Sequence, residues 1–169
     1  AIQIHSMSEQ GSNFSYTISS GAKLTDLSIR MIGDAQVENA CCAIEAIDAL
    51  RRKHLIEISD KQIRAGIADV QFEGRLEIMS TTPRVLLDGA HNHAKMEFLA
   101  RTLQDVFEYD RLIVVFGVKK KILQHLAPLV STLIIAEPAL GHHRVVSAQE
   151  IAEYASELGI KDVQIVKNP

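Results

Sequence analysis

The sequence is poor in aromatic residues and lacks long apolar runs. Aromatic side chains make up 5% of it, and tryptophan is absent. Its longest apolar run, residues 112–118, is far shorter than the roughly 20 residues of a transmembrane helix, so we expect no bilayer-spanning segment. Cys41 and Cys42 are adjacent, and neighbours on a helix do not pair, which excludes a disulfide framework. This cysteine usage favours a reducing, cytoplasmic setting.

No strong excess of charge is present either. The formal net charge is -3 at pH 7, which gives no support for nonspecific binding to nucleic acid or to anionic membranes. With 169 residues, 47% hydrophobic and 23% charged, the composition is that of a globular protein with one domain or two small ones. The chain lacks an initiator methionine and starts inside a predicted strand, so we expect it to be a fragment of a longer protein.

The spacing of hydrophobic residues predicts strands followed by helices in the first half of the chain. The first third alternates apolar and polar residues and carries glycines between the alternating segments, which predicts a three-stranded meander. Helical spacing follows, with Ser59 or Asp60 as the candidate N-cap of the second helix. The predicted strands cover residues 1–7, 12–19 and 24–33, and the predicted helices cover residues 36–53 and 59–70.

From residue 84 onwards, strand-like and helix-like segments alternate. The strand-like segments are continuous apolar runs, as in sheets that are covered on both faces. The alternation predicts a parallel sheet with helical crossovers. Residues 81–83, two threonines and a proline, are the candidate linker before this region. We predict strands at residues 84–88, 111–117, 132–137 and 163–166, and helices at residues 92–107, 121–130 and 147–158.

The segment "DGAHN", residues 88–92, stands where a strand should be followed by a helix. We expect residues 85–87 to form a central parallel strand with Asp88 at its carboxyl end, where ligands bind in open α/β sheets. Asp88 could accept the hydroxyls of a ribose, or it could cap the following helix. His91 could contact a substrate or move a proton, or it could be an ordinary loop histidine. Asn92 is most simply the cap of the next helix.

Three segments in the same order resemble the folylpolyglutamate synthases and dihydrofolate synthases, which belong to the wider group of Mur-type amide ligases. The first two resemble the Gly-x-His-Gln-x-x-Asn-Ala and Trp-Pro-Gly-Arg-Leu-Glu segments of that family, and the third matches its Asp-Gly-Ala-His-Asn signature. The resemblance covers nearly the whole chain and is weakest near its two ends. The segments read "IGDAQVENACCAIEAI", "ISDKQIRAGIADVQFEGRLEIM" and "PRVLLDGAHN".

The resemblance implies an α/β protein in which an ATPase domain with a P-loop precedes a Rossmann-like domain. Residues 1–82 would be the tail of the ATPase domain, with strands and two helices. Residues 83–169 would be the glutamate-ligase domain, with a mainly parallel sheet. The sequence contains no Gly-x-x-x-x-Gly-Lys-[Ser/Thr] motif. The phosphate-holding lysine and the magnesium ligands are therefore expected outside this chain.

The same resemblance implies an ATP-dependent ligase that acts on folate or dihydropteroate. ATP would phosphorylate a carboxylate of the substrate, with Mg²⁺ as a further cofactor, and the amine of L-glutamate would attack the acyl phosphate. By position, Asn39 would hydrogen-bond the adenine, Arg75 would meet the phosphates and Asp88 would take the ribose. His91 would lie near the phosphate and the incoming glutamate. We expect a monomer without nucleic-acid or membrane partners, and no ligase activity from these residues alone.

Several positions depart from the pattern of the family. Ala35 replaces a histidine, residues 72–73 replace Trp-Pro, and His93 replaces a proline; residues 119–121 are all lysine where the family carries Asp-Lys-Asp. These changes bear on substrate preference, so a Mur-type ligase for another amino acid and a noncatalytic Rossmann-like module stay open as alternatives. A metal site is a further alternative, and its candidate ligands are His91, His93, His142 and His143.

Overall fold

The chain folds as two compact units. The structure, a computed structural model, describes residues 1–117, 120–137 and 146–167. The first unit is Ala1–Gly89 and the second is Ala90–Pro169. No helix in the described part of the chain is long and apolar enough to cross a membrane.

The first unit begins with an antiparallel meander, as the alternating sequence predicts. The strands are β1 (Ile2–Ser8), β2 (Gly11–Thr17) and β3 (Lys23–Ile29). Their order in the sheet is β1-β2-β3, so each strand pairs with its neighbour in sequence. The polar residues of β2 alternate with Phe14 and Tyr16, and Phe14 is fully buried.

Two helices cover the inner face of this meander. They are α1 (Asp34–Arg52) and α2 (Asp60–Asp69), close to the predicted bounds. Ser59 is the N-cap of α2 and forms a reciprocal capping box with Gln62. The apolar side chains that meet between the sheet and the two helices form one core, which consists mainly of Phe14, Ile18, Leu24, Leu27, Ile29, Val37, Cys41, Ile44, Ile63 and Ile67.

The first unit ends with a β-hairpin of β4 (Glu77–Thr81) and β5 (Arg84–Leu87). These strands pair antiparallel, so the expectation that residues 85–87 form a central parallel strand is wrong. A short apolar run does not specify the direction of its partner, and pairing with an adjacent segment closes the smallest loop. Residues 81–83, the candidate linker, lie at the turn of this hairpin.

The second unit contains a parallel sheet of β6 (Ile113–Phe116), β7 (Thr132–Glu137) and β8 (Val163–Lys167), paired in that order, as the strand–helix alternation predicts. The segment between β6 and β7 differs from the prediction, because it forms two short 3-10 helices, Lys120–His125 and Ala127–Leu129, rather than one α-helix. Pro128 lacks the N–H that a continuous helix would need there. The other elements are α3 (His93–Val106) and α4 (Ala148–Glu157).

Side-chain caps begin both α-helices of the second unit. The Lys95 N–H donates to the Asn92 side chain at 2.9 Å, which confirms Asn92 as the N-cap of α3. Ser147 and Glu150 form a capping box at the start of α4. Hydrogen bonds from Ser147 lower the pKa of the Glu150 carboxyl below its ordinary value. The fully buried apolar side chains of this unit include Leu123, Leu133, Ile135, Ile151 and Ala155.

Candidate functional site

A cavity of about 360 Å³ lies in the first unit, beside α1 and the segment that precedes β4. Its wall is mainly apolar and carries three polar side chains, Gln36, Asn39 and Arg75. Two of the residues assigned to nucleotide binding, Asn39 and Arg75, therefore line the same cavity although they are far apart in sequence. The apolar lining residues are Ile29, Met31, Ala40, Ala43, Ile67, Val70 and Phe72.

The amide groups of Gln36 and Asn39 are paired within the first turns of α1. The Asn39 Nδ2 donates to Gln36 Oε1 at 3.1 Å. Gln36 is buried, so its side chain is held in place and fixes the orientation of the exposed Asn39 amide. One N–H of the Asn39 amide donates to Gln36, and the Asn39 oxygen can accept a hydrogen bond from a ligand.

The turn that carries Arg75 has an unusual backbone. Gly74 has φ 67° and Leu76 has φ 48°, so the residues on both sides of Arg75 are left-handed. Glycine adopts this conformation at little cost, whereas leucine is strained in it. Leu76 is nevertheless buried there, at 3% exposure, and the Gly74 N–H donates to Glu77 Oε2 at 2.8 Å. Such strain persists only where surrounding contacts hold the residue.

Asp88 and Gly89 supply further contacts that hold this turn. The Leu76 N–H donates to Asp88 Oδ2 at 2.9 Å, and the Gly89 N–H donates to the Gly74 carbonyl at 2.9 Å. The hairpin register brings these groups together, because Glu77 pairs with Leu87 and the flanking residues therefore meet. Asn92 is the N-cap of α3, so the alternative that Asp88 caps this helix is wrong.

The side chain of Arg75 contacts the Phe72 ring and also lies close to Gly89. Its guanidinium carbon is 5.5 Å from the centroid of the Phe72 ring, within the range of a cation–π interaction. A Cβ on Gly89 would lie 3.0 Å from Arg75 Nη1, so glycine leaves room for the guanidinium. Phe72 stands where the family carries tryptophan, so this position is also aromatic in this chain.

A second, smaller cavity of about 200 Å³ shares Met31, Phe72 and Arg75 with the first. These three side chains therefore lie between the mainly apolar cavity and a cavity that is lined by both charged and apolar residues. Four charged residues line the second cavity: Glu9, Arg30, Arg75 and Glu77. Glu9 forms an ion pair with Arg84 of β5, with 3.0 Å between the charged atoms.

His91 belongs to the second unit and is exposed, one residue before the cap of α3. The structure thus places Asn39, Arg75 and Asp88 in one unit and His91 in the other. Among the described residues, no three groups of the His, Cys, Asp or Glu type are arranged to hold a metal ion. His142, His143 and Lys119 lie outside the described residues.

Three residues of this site received no role from the sequence. They are Gln36, Phe72 and Glu77, and all three lie inside the segments that carry the family resemblance. The sequence shows where these residues stand in the chain, but it does not show which residues they contact. Gln36 orients Asn39, Phe72 contacts Arg75, and Glu77 accepts from Gly74. These contacts depend on side chains that meet only after α1, the turn and the hairpin have formed.

The comparisons with known proteins agree on one family. The glutamate ligase domain of the Mur ligases matches residues 74–169. A dihydrofolate synthase/folylpolyglutamate synthase of Bacillus subtilis is 38% identical over 95 residues, which cover 56% of this chain and 22% of the relative. A folylpolyglutamate synthase structure from Mycobacterium tuberculosis, complexed with ADP and AMPPCP, has a TM-score of 0.84 at 27% identity and covers 99% of this chain and 37% of that one.

A folylpolyglutamate synthase of Thermotoga maritima has a TM-score of 0.79 at 25% identity, with 99% of this chain and 39% of that chain covered. The chain spans well under half the length of these relatives. The resemblance inferred from the three sequence segments is confirmed, as is the α/β fold class with a parallel sheet. This chain belongs to the Mur ligase family and contains its glutamate ligase domain.

Proposed function

We propose that the full-length protein is an ATP-dependent amide ligase that adds glutamate to folate or dihydropteroate. The observation that carries this proposal is the cavity shared by Asn39 and Arg75, with Arg75 held on a strained turn. The names of the relatives support the same substrates, and the relative complexed with ADP supports the nucleotide. The chain acts as a monomer in this proposal.

The first cavity suits an adenine ring. Its volume is at the lower end of the range of ligand pockets, about 300–1,000 Å³, which is enough for a purine and not for a whole nucleotide. Its apolar walls would cover the faces of the ring. The Asn39 oxygen would accept from the exocyclic amine of adenine, and Gln36 would keep that oxygen in position.

Arg75 would meet the phosphates at the boundary between the two cavities. Its guanidinium carries five donors and stays charged, so it can pair with phosphate oxygens in a bidentate manner. Charge develops on the transferred phosphoryl group in the transition state, and donors that are already in place stabilise it most. The contacts from Asp88, Gly89 and Glu77 would serve this function by holding the Arg75 turn.

Asp88 would contact the ribose in addition to holding the turn. A carboxylate can accept about four hydrogen bonds, so the bond from the Leu76 N–H is compatible with a further one from a ribose hydroxyl. His91 would lie near the phosphate and the incoming glutamate. Mg²⁺ would neutralise phosphate charge when bound, and its ligands are expected outside these residues, as is the P-loop.

The reaction follows from these assignments. A carboxylate oxygen of the acceptor attacks the γ-phosphorus of ATP, the bond to the β-γ bridging oxygen breaks, and ADP leaves. The amine of L-glutamate then attacks the acyl carbon, an amide forms, and phosphate and a proton are released. The 169 residues alone should not catalyse these steps, because the P-loop motif is not among them.

Steady-state kinetics of the full-length protein test this proposal. With ATP, glutamate and either folate or dihydropteroate, Arg75→Ala should lower kcat far more than Asn39→Ala, since Asn39 contributes binding that is equal in ground and transition states. Lys61→Ala, an exposed cation on α2, is the control and should leave turnover unchanged. A change confined to the apparent ATP affinity in Arg75→Ala would refute the phosphate role.

A further inference from the structure

Two histidines of the second unit lie in direct contact. His93 is the first residue of α3, and His125 is the last residue of the 3-10 helix Lys120–His125. The distance between His93 Nδ1 and His125 Nε2 is 3.0 Å. The ring centroids are 5.3 Å apart and the ring planes are inclined by 76°.

The 3.0 Å between the two ring nitrogens is also a distance at which two neighbouring ligand atoms of one metal ion lie. Imidazole nitrogens bind ions such as Zn²⁺ at about 2.0–2.1 Å, so two of them lie about 2.9 Å apart at a right angle and about 3.4 Å apart at the tetrahedral angle. The observed 3.0 Å is closest to the right-angle arrangement. Such angles occur in tetragonal and octahedral sites, which Cu²⁺ and Ni²⁺ adopt with imidazole ligands.

We propose that His93 and His125 bind one divalent transition-metal ion, with water in its remaining positions. The ion replaces the hydrogen bond between the two rings: at about 2.1 Å from each nitrogen it lies beside the line that joins them, and a rotation of the rings directs both lone pairs at it. The ring that donated the proton carries its proton on the other nitrogen once the ion is bound. The proposal does not rest on the ligase function, because neither residue has a role in that reaction.

The two ligands are held before any ion arrives. The cap of α3 fixes the backbone beside His93, through the hydrogen bond from the Lys95 N–H to Asn92. His125 is half-buried and lies between Leu123 and Leu126, which are 0% and 3% exposed and anchor its helix. His93 is exposed, so an ion can reach the pair from solvent. Ligands held in advance lose little conformational freedom on binding.

The site differs from the metal site that the sequence suggested. Of the histidines considered there, the structure describes His91 and His93; of these two, only His93 takes part, and its partner is His125. The family usually carries proline at position 93, so the pair is a feature of this chain rather than of the shared ligase chemistry. That proline also supplies a natural substitution with which to test the site.

Calorimetric titration with NiCl₂ tests the proposal on the full chain. One Ni²⁺ should bind, and both His93→Pro and His125→Gln should weaken binding by at least about tenfold, since loss of even an outer-shell partner costs about 10–100-fold. His54→Asn removes an exposed histidine of the first unit and should leave the affinity unchanged. MgCl₂ should give no binding at this site, because Mg²⁺ prefers oxygen ligands.

Proline at position 93 should not disturb the fold. It would be the first residue of α3, where the N–H has no helical partner, and the preceding Asn92 is already extended, at φ -138° and ψ 168°. Circular dichroism would check that each variant is folded. If either folded variant binds Ni²⁺ as tightly as the wild type, the two histidines share only a hydrogen bond and the proposal is wrong.

A second measurement on the wild type decides the matter even if both variants fail to fold. With ZnCl₂ as the probe, nitrogen-15 spectra of the imidazole rings should shift at His93 Nδ1 and His125 Nε2 together and saturate at one ion per chain. Shifts confined to other histidines, or no shift at this pair, would overturn the proposal.

Discussion

The two units pair their strands in different ways, and this difference determines where polar groups meet. In the first unit every strand pairs antiparallel with its neighbour in sequence, whereas the strands of the second unit are parallel. A hairpin brings the residues before its first strand against those after its second. The contacts of Leu76 with Asp88 and of Gly74 with Gly89 arise in this way. Parallel strands need a long connection and bring no such pair together.

Burial also differs between the two sheets. The inner side chains of the meander, such as Phe14 and Leu27, are 0% exposed. In the parallel sheet, Ile113 and Val115 are 55% and 69% exposed although they stand in a continuous apolar strand. Parallel sheets are usually covered on both faces. An apolar run therefore predicts a strand reliably, but it does not predict how deeply each side chain is buried.

The largest expected effect is on the core of the first unit. Phe14→Ala should lower the free energy of unfolding by about 3–5 kcal/mol, because it removes a fully buried ring and leaves a cavity. Urea denaturation followed by circular dichroism would measure this value. A loss below about 1 kcal/mol would be that of a surface substitution and would show that this core is not tightly packed.

The next effect concerns the contact that the hairpin creates. Asp88→Ala removes the carboxylate that accepts from the part-buried Leu76 N–H, so the free energy of unfolding should fall by about 1–3 kcal/mol. Asp88→Asn keeps an accepting oxygen and should change stability much less. In the full-length protein, however, Asp88→Asn should weaken ATP binding by about 1–3 kcal/mol if the carboxylate also holds the ribose. Equal ATP affinities in a calorimetric titration would leave Asp88 with the structural role alone.

The capping boxes offer a matched pair between the units. Ser59→Ala and Ser147→Ala should each cost about 1 kcal/mol of unfolding free energy. Their pH dependence should differ, because the partner of Ser59 is Gln62 and the partner of Ser147 is Glu150. The pKa of Glu150 is lowered in the folded chain, so its contribution is present above the unfolded pKa and is lost as pH falls through the folded pKa.

Unfolding measurements between neutral and acidic pH would separate the two boxes. The cost of Ser147→Ala should shrink as Glu150 becomes protonated, and the cost of Ser59→Ala should not change, since an amide does not titrate. Glu150→Gln is the control that should remove the difference. An equal pH dependence of both serine variants would contradict this account.

The smallest effect should come from the exposed strand of the second unit. Val115→Thr is expected to change the free energy of unfolding by less than about 0.5 kcal/mol, because the side chain is mostly in water and threonine is also β-branched. The same denaturation experiment would measure it. A cost of about 2 kcal/mol would show that Val115 is covered in solution, and the contrast between the two sheets would disappear.

Much of the secondary structure could be predicted, for a local reason. The spacing of apolar residues predicted the meander, both helices of the first unit and the parallel strands of the second unit. Each of these elements depends mainly on neighbours in sequence. The partner of β5 and the 3-10 helices at Lys120–His125 and Ala127–Leu129 were not predicted. Strand direction depends on which segment pairs with β5, which a short apolar run does not specify, and Pro128 interrupts an otherwise helical pattern.

The candidate site was predicted only as a set of separate residues. Asn39 and Arg75 were singled out by resemblance, and Asp88 also by its position after a predicted strand; their nucleotide roles stay predictions. The structure shows that Asn39 and Arg75 line one cavity and that Asp88 accepts from the residue after Arg75. Pairs such as Gln36 with Asn39 could not be read from spacing, because hydrogen-bond partners depend on side-chain directions.

The sequence by itself determined the local conformations of this protein. Glycine at position 74 permits a left-handed turn, Ser59 and Ser147 start helices, and apolar periods decide which faces are buried. Only the tertiary structure decided which polar groups meet: Leu76 with Asp88, and His93 with His125. The physical reason is that such contacts join atoms from separate elements, so their geometry exists only once the hairpin has closed and the helices have packed.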